Sequence, residues 1–225
     1  MGISRGLRIW RTGALVAIGW GLFTITLMHV ISSRDPIHDT LSSYTTTDPG
    51  LLSASVLALA VGSLAVLGCL AAGGVPLPRT TRVLLSLWAL GLATAAVFPA
   101  SYPPHPDLTS GEIHLYSCVV AFASLPAAAL TLLEPLRGTA ERALVARWLR
   151  LGVAVLVVFG VSFLFARLDE AGLPVHTVTE LLPVGATQRL MLVADVVLLL
   201  GLIRVAVRVD ATRAAAELRP ATARD

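Results

Sequence analysis

The chain has 225 residues, of which 56% are hydrophobic and only 14% charged, with a mean hydropathy of +0.80. A soluble domain carries about 25% charged residues, whereas a membrane-spanning helix needs about 20 mainly apolar ones. The composition therefore argues against a soluble domain and leaves room for six spans and little else. All 17 basic residues are arginines. They form no stripe interleaved with aromatics, which argues against nucleic acid as a partner; with the abundant alanine, leucine and valine they point to a GC-rich bacterial genome.

Residues 1–12 carry Arg5, Arg8 and Arg11 and read as a short cytoplasmic segment. The first apolar run, about 13–33, is longer than the centre of a secretory signal and has no A-x-A cleavage pattern, so it reads as a retained span. Further runs cover about 51–72, 82–100, 113–133, 151–168 and 187–207. Between them lie Asp48-Pro49-Gly50, Gly73-Gly74-Val75-Pro76, Pro103-Pro104, Pro135 through Gly138, and Gly172 through Pro174, which is turn chemistry. Closed barrels also cross membranes, but their strands alternate apolar and polar residues, and these runs do not. The expected fold is all-α, an integral membrane bundle of six helices, followed by a cytoplasmic tail over 208–225.

Arginine placement gives the orientation. Fourteen of the 17 fall in the N-terminus, the second and fourth connections and the C-terminal end; only Arg34, Arg167 and Arg189 fall on the other side. Cytoplasmic connections collect arginine, so both termini are expected in the cytoplasm of a bacterial plasma membrane. The same placement puts Cys69 and Cys118 near opposite faces, too far apart for a disulfide. Small pairs such as Ala58–Gly62 and Gly68–Ala72 allow helices to approach closely, either within the bundle or between copies in a homo-oligomer. The halves show no repeat of the kind inverted-repeat transporters carry.

The polar residues gather on the arginine-poor side. All five histidines (His29, His38, His105, His114 and His176) map there, as do eight of the fourteen acids. The first outer connection holds Asp39, Ser42 and Tyr44. The second holds Asp107 and Glu112 and leads into His114, which shares a helix face with Ser117 and Cys118. No compact H-x-x-x-H or C-x-x-C pair occurs, so no metal and no cofactor is expected. His29 and His114 would have to face each other at equal depth to hold a haem. In the last span, Gln188 and Arg189 sit near the outer end, and Asp195 lies near mid-membrane on the face of Gln188. A carboxylate there costs about 2.5–3.5 kcal/mol, so Asp195 is expected to face the bundle, carry a proton or meet a donor from another helix.

Three motifs resemble the domain-of-unknown-function family 998, a group of small bacterial multi-span membrane proteins. They are Asp39 with Leu41-Ser42-Ser43-Tyr44, Phe98-Pro99 followed by His114, and Gly185-Ala186-Thr187-Gln188-Arg189. The resemblance covers about residues 13–207 and implies a six-span membrane protein without implying a reaction. Members tend to carry an acid soon after Phe-Pro; here Ala100-Ser101 follow instead. A more distant likeness to seven-span zinc hydrolases is only architectural, since the last span lacks their histidine pair.

The functional expectation is that Asp39, Ser42, Tyr44, His114, Gln188 and Arg189 form an outer site for a lipid headgroup or small anionic ligand, with no demonstrable enzymatic activity. Arg189 would supply a planar donor fork. One alternative is a membrane-embedded metal-dependent hydrolase or lipid-modifying enzyme using His38, Asp39, Ser42 and His114. Another is a small proton-coupled transporter using Asp195.

Overall fold

In a computed structural model, which describes residues 3–103 and 106–217, the described chain is helical without strands. His105, residues 1–2 and residues 218–225 of the tail lie outside the described residues. Six helices are long and apolar enough to cross a bilayer: α1 (Arg5–Ile31), α2 (Pro49–Ala72), α3 (Arg79–Val97), α4 (Leu108–Thr131), α5 (Ala140–Glu170) and α7 (Val184–Glu217). Helices prevail because backbone groups in hydrocarbon must find partners within their own segment.

The helices begin before their apolar runs, and α5 and α7 also continue past the ends of theirs, because polar turns at the membrane edge still satisfy their own backbone. Two stretches read as connections are also wound: a 3-10 helix over Leu41–Thr46 and the short α6 over His176–Leu181.

The ends follow local chemistry. Pro49 opens α2, where its missing N–H is not needed. The Asp107 carboxylate accepts from Ser110 N–H at the start of α4, and the Thr139 hydroxyl accepts from Arg142 N–H at the start of α5. Helix α2 stops at Gly74, which takes φ 73° while Val75 N–H reaches back to Leu70 O, the left-handed turn that glycine permits.

Helices α1 and α2, α3 and α4, and α5 and α7 pack as pairs, with α2 also against α3 and α7. α7 is the most enclosed span and α5 the least. Gly62 takes Ile18 of α1 and Gly68 takes Trp10, so two of the small residues singled out in the sequence are filled from within the same chain. Interhelical polar bonds add to this packing: Ser55 Oγ donates to Thr24 Oγ1 (2.6 Å), Trp88 Nε1 to Ser63 Oγ (2.7 Å) and Ser53 Oγ to Ala96 O (2.9 Å). Large apolar side chains such as Val16, Phe23, Val157, Leu164 and Val193 point outward. An apolar exterior of this extent belongs in lipid. The chain is a multi-pass membrane protein.

Candidate functional site

The N-terminus of α7 and the first outer connection interlock. Gly185 lies so close beneath that connection that a Cβ would meet the carbonyl oxygens of Asp39 and Ile37 at 2.5 and 2.6 Å. Ala186 N–H donates to Ile37 O (2.8 Å), and Leu41 N–H donates to Gln188 Oε1 (2.6 Å). Arg189 completes the contact. Its Nε donates to His29 Nε2 (2.6 Å), Nη1 to the carbonyls of Asp39 (2.8 Å) and Gly185 (2.9 Å), and Nη2 to the Tyr44 hydroxyl (3.3 Å).

His29 donates from Nδ1 to Ile25 O (2.6 Å), which leaves Nε2 as the acceptor that Arg189 requires. Tyr44, fully buried, packs beside both the His29 ring (5.4 Å between centroids) and the guanidinium (5.9 Å from the ring centre). Thus two of the motifs, separated by about 140 residues of chain, are one structural unit.

The third motif serves α3. His114 Nδ1 donates to the carbonyls of Ala95 and Phe98, both at 3.0 Å, where α3 runs out of its own donors. Its Nε2 faces Cys118 Sγ at 3.5 Å. Ser110 Oγ donates to Pro99 O (2.8 Å), and Gly111 accommodates Ser101. The two outer connections meet through hydroxyls: Tyr102 lies 3.0 Å from Thr40 Oγ1 and 2.9 Å from Ser42 Oγ. Nothing in spacing or periodicity singled out Tyr102, since a connection between spans carries neither.

Beneath this roof lies a cavity of about 100 Å3 between α1, α2, α3, α4 and α7. Ser42, Thr45, His114 and Gln188 form its polar lining towards the arginine-poor end. Trp88, Leu92, Phe122 and Met191 belong to its apolar wall. Asp195 also lines it, 6% exposed. No hydrogen bond or ion pair joins its carboxyl to another described residue. Of the alternatives the sequence offers, Asp195 faces the bundle interior, and no donor from a neighbouring helix reaches it among the described residues.

The structure therefore divides the candidate residues. Ser42, His114, Gln188 and Asp195 share the cavity, while Arg189, His29 and Tyr44 form the clasp beside it. The Asp39 carboxylate turns outward, accepting from Asp35 N–H (3.1 Å) and lying 4.0 Å from Arg34. Only its backbone carbonyl meets Arg189, so Asp39, His114 and Arg189 do not converge through their side chains. His38 pairs with Asp35 at 2.7 Å on the exposed edge. Among the described residues no three His, Cys, Asp or Glu side chains lie close enough to share a metal. The imidazoles of His29 and His114 turn to different partners, which is not the facing pair that haem ligation needs.

Two exposed histidine–acid contacts shift titration at this end. The His38 side chain, and then Ile37 N–H, hold the Asp35 carboxyl below its usual range. A hydrogen bond that His176 donates to the Asp169 carboxylate, the charge of Asp169 and then that of Glu180 push His176 upward.

No curated protein and no solved structure matches the chain. A family model described as a protein of unknown function (DUF998) matches residues 15–205, an interval that holds the clasp, the roof and the cavity. The chain belongs to that family.

Proposed function

We propose that the protein binds a slender, mainly apolar membrane amphiphile in the cavity, its polar end among Ser42, Thr45, Gln188 and His114. The observation that carries this reading is the cavity itself, an apolar space with hydrogen-bonding groups towards its outer end and one carboxyl deeper in, the usual make-up of a small-molecule site. Four donations from Arg189 to protein groups leave little of its five-donor fork for a ligand anion. This favours a hydroxyl-bearing headgroup over a phosphate. In this reading Arg189 and Asp39 hold the roof in place. The arginine-rich end faces the cytoplasm of a bacterial plasma membrane, and the ligand is met on the opposite side.

Trp88 in the wall provides the test. A brominated short-chain alcohol is expected to quench fluorescence of the detergent-solubilised protein saturably, and the saturable part should vanish in Trp88→Phe. Ala95→Leu, which adds volume to the wall, should weaken it. Linear quenching identical in all three proteins would overturn the proposal.

A further inference from the structure

Asp195 has no role in the clasp, the roof or any helix cap. It is 6% exposed, lines the cavity and meets no donor among the described residues. Carboxyls inside membrane proteins are rare because they are costly, and those that persist face a partner or a functional cavity.

The groups around it limit what that partner can be. From α4 come His114 and Cys118, the other titratable side chains of the wall. His114 turns Nδ1 to two carbonyls and Nε2 to Cys118, so both of its ring nitrogens are engaged away from Asp195. The 3-10 helix brings hydroxyls, and α1, α2 and α3 bring no charged side chain to the cavity. The cation nearest in sequence, Arg189, is held by His29, Tyr44 and two carbonyls, and does not line the space. Trp88 and Phe122 do line it, their centroids 6.5 Å apart and their planes tilted by 49°. A carboxylate without a counter-charge, in an apolar space walled by two aromatic rings, has the chemistry of an ammonium site.

We infer that the cavity selects ligands carrying a protonated amine on a small apolar body, with the ammonium at Asp195 beside Trp88 and Phe122. This rests on the cavity-binding reading above and adds to it an ammonium at the ligand's inner end, the hydrogen-bonding groups of the rim taking the other end. Gln188 lies seven residues, or about 10 Å of helix rise, nearer the arginine-poor end. A ligand anchored at Asp195 therefore extends towards the polar rim.

The test compares benzylamine with benzyl alcohol, which share a skeleton and differ in charge. Binding is read by equilibrium dialysis against the full-length protein in nanodiscs, with empty nanodiscs as the blank. Benzylamine is expected to bind at least about tenfold more tightly than the alcohol, equivalent to about 1.4 kcal/mol. Asp195→Asn should abolish that preference while retaining alcohol binding, which also reports that the variant is folded. Should that variant fail to fold, Asp195→Glu serves in its place and should keep a preference for the amine. Equal binding of the two probes by the unmodified protein, or a preference that survives in Asp195→Asn, overturns the ammonium site and leaves cavity binding standing. Binding of neither probe overturns both.

Discussion

Arg189 is the side chain on which most of the outer architecture converges. Replacing it with alanine strands the Nε2 acceptor of His29 and the Asp39 carbonyl, and frees the connection that Tyr44 anchors. Hydrogen bonds to a charged group contribute about 1.5–3 kcal/mol, so Arg189→Ala should destabilise by at least that range in thermal unfolding in detergent. Lysine lacks the fork that reaches His29, Tyr44 and Asp39 O from different nitrogens, and Arg189→Lys should recover less than half of the loss. Retention of the parental melting temperature in either variant would remove the structural role assigned here. At the surface, the raised His176 titration stabilises the α5–α6 turn most below its unfolded value, about pH 6.5, and that contribution fades as pH rises through the folded value. The lowered Asp35 titration acts at the opposite end: its contribution is present above about pH 4 and is lost as pH falls through the depressed value. Amide exchange across residues 172–182, corrected for its intrinsic rate, should therefore accelerate as pH rises through the folded value of His176, and His176→Ala should remove that dependence. Asp35, His38 and His176 are exposed and Asp169 is half-buried, so added salt should shrink the effect.

At the scale of elements, the meeting of α7 with the first outer connection depends on Gly185. A methyl group there would overlap two carbonyl oxygens, and overpacking of this kind costs about 1–3 kcal/mol. Gly185→Ala should lower the melting temperature and open the connection over 34–48 to proteolysis, while Gly160→Ala, which meets nothing within 4 Å, should do neither. The motifs around Asp39 and Gly185 were each visible as short polar signatures. Their partnership was not, because a span of sequence carries no record of which distant turn it touches. Arg189 likewise read as a ligand group, since a guanidinium near a membrane edge looks the same whether it faces a phosphate or two carbonyls. The cavity was still less visible: Trp88, Phe122 and Met191 are ordinary members of apolar runs, and only their helices' relative placement turns them towards a common space.

For the whole molecule, Ser4 N–H and the Asp210 carboxylate meet at 3.1 Å, so both ends of the described chain lie at the arginine-rich end of the bundle. With that end in the cytoplasm, a cysteine replacing Asp35 should react with a membrane-impermeant maleimide added outside intact cells. One replacing Arg137 should react only after permeabilisation; the reverse pattern would place the cavity's polar end in the cytosol. Six helices and the segregation of arginine from histidine were legible from residue order, because hydrocarbon thickness and backbone hydrogen bonding act on each apolar run separately. What the tertiary structure alone decided is which polar groups satisfy one another and which are left facing a cavity. Arg189 spends its donors on the fold, whereas Asp195 has no partner among the described residues, and that difference arises from side chains brought together from helices far apart in the chain.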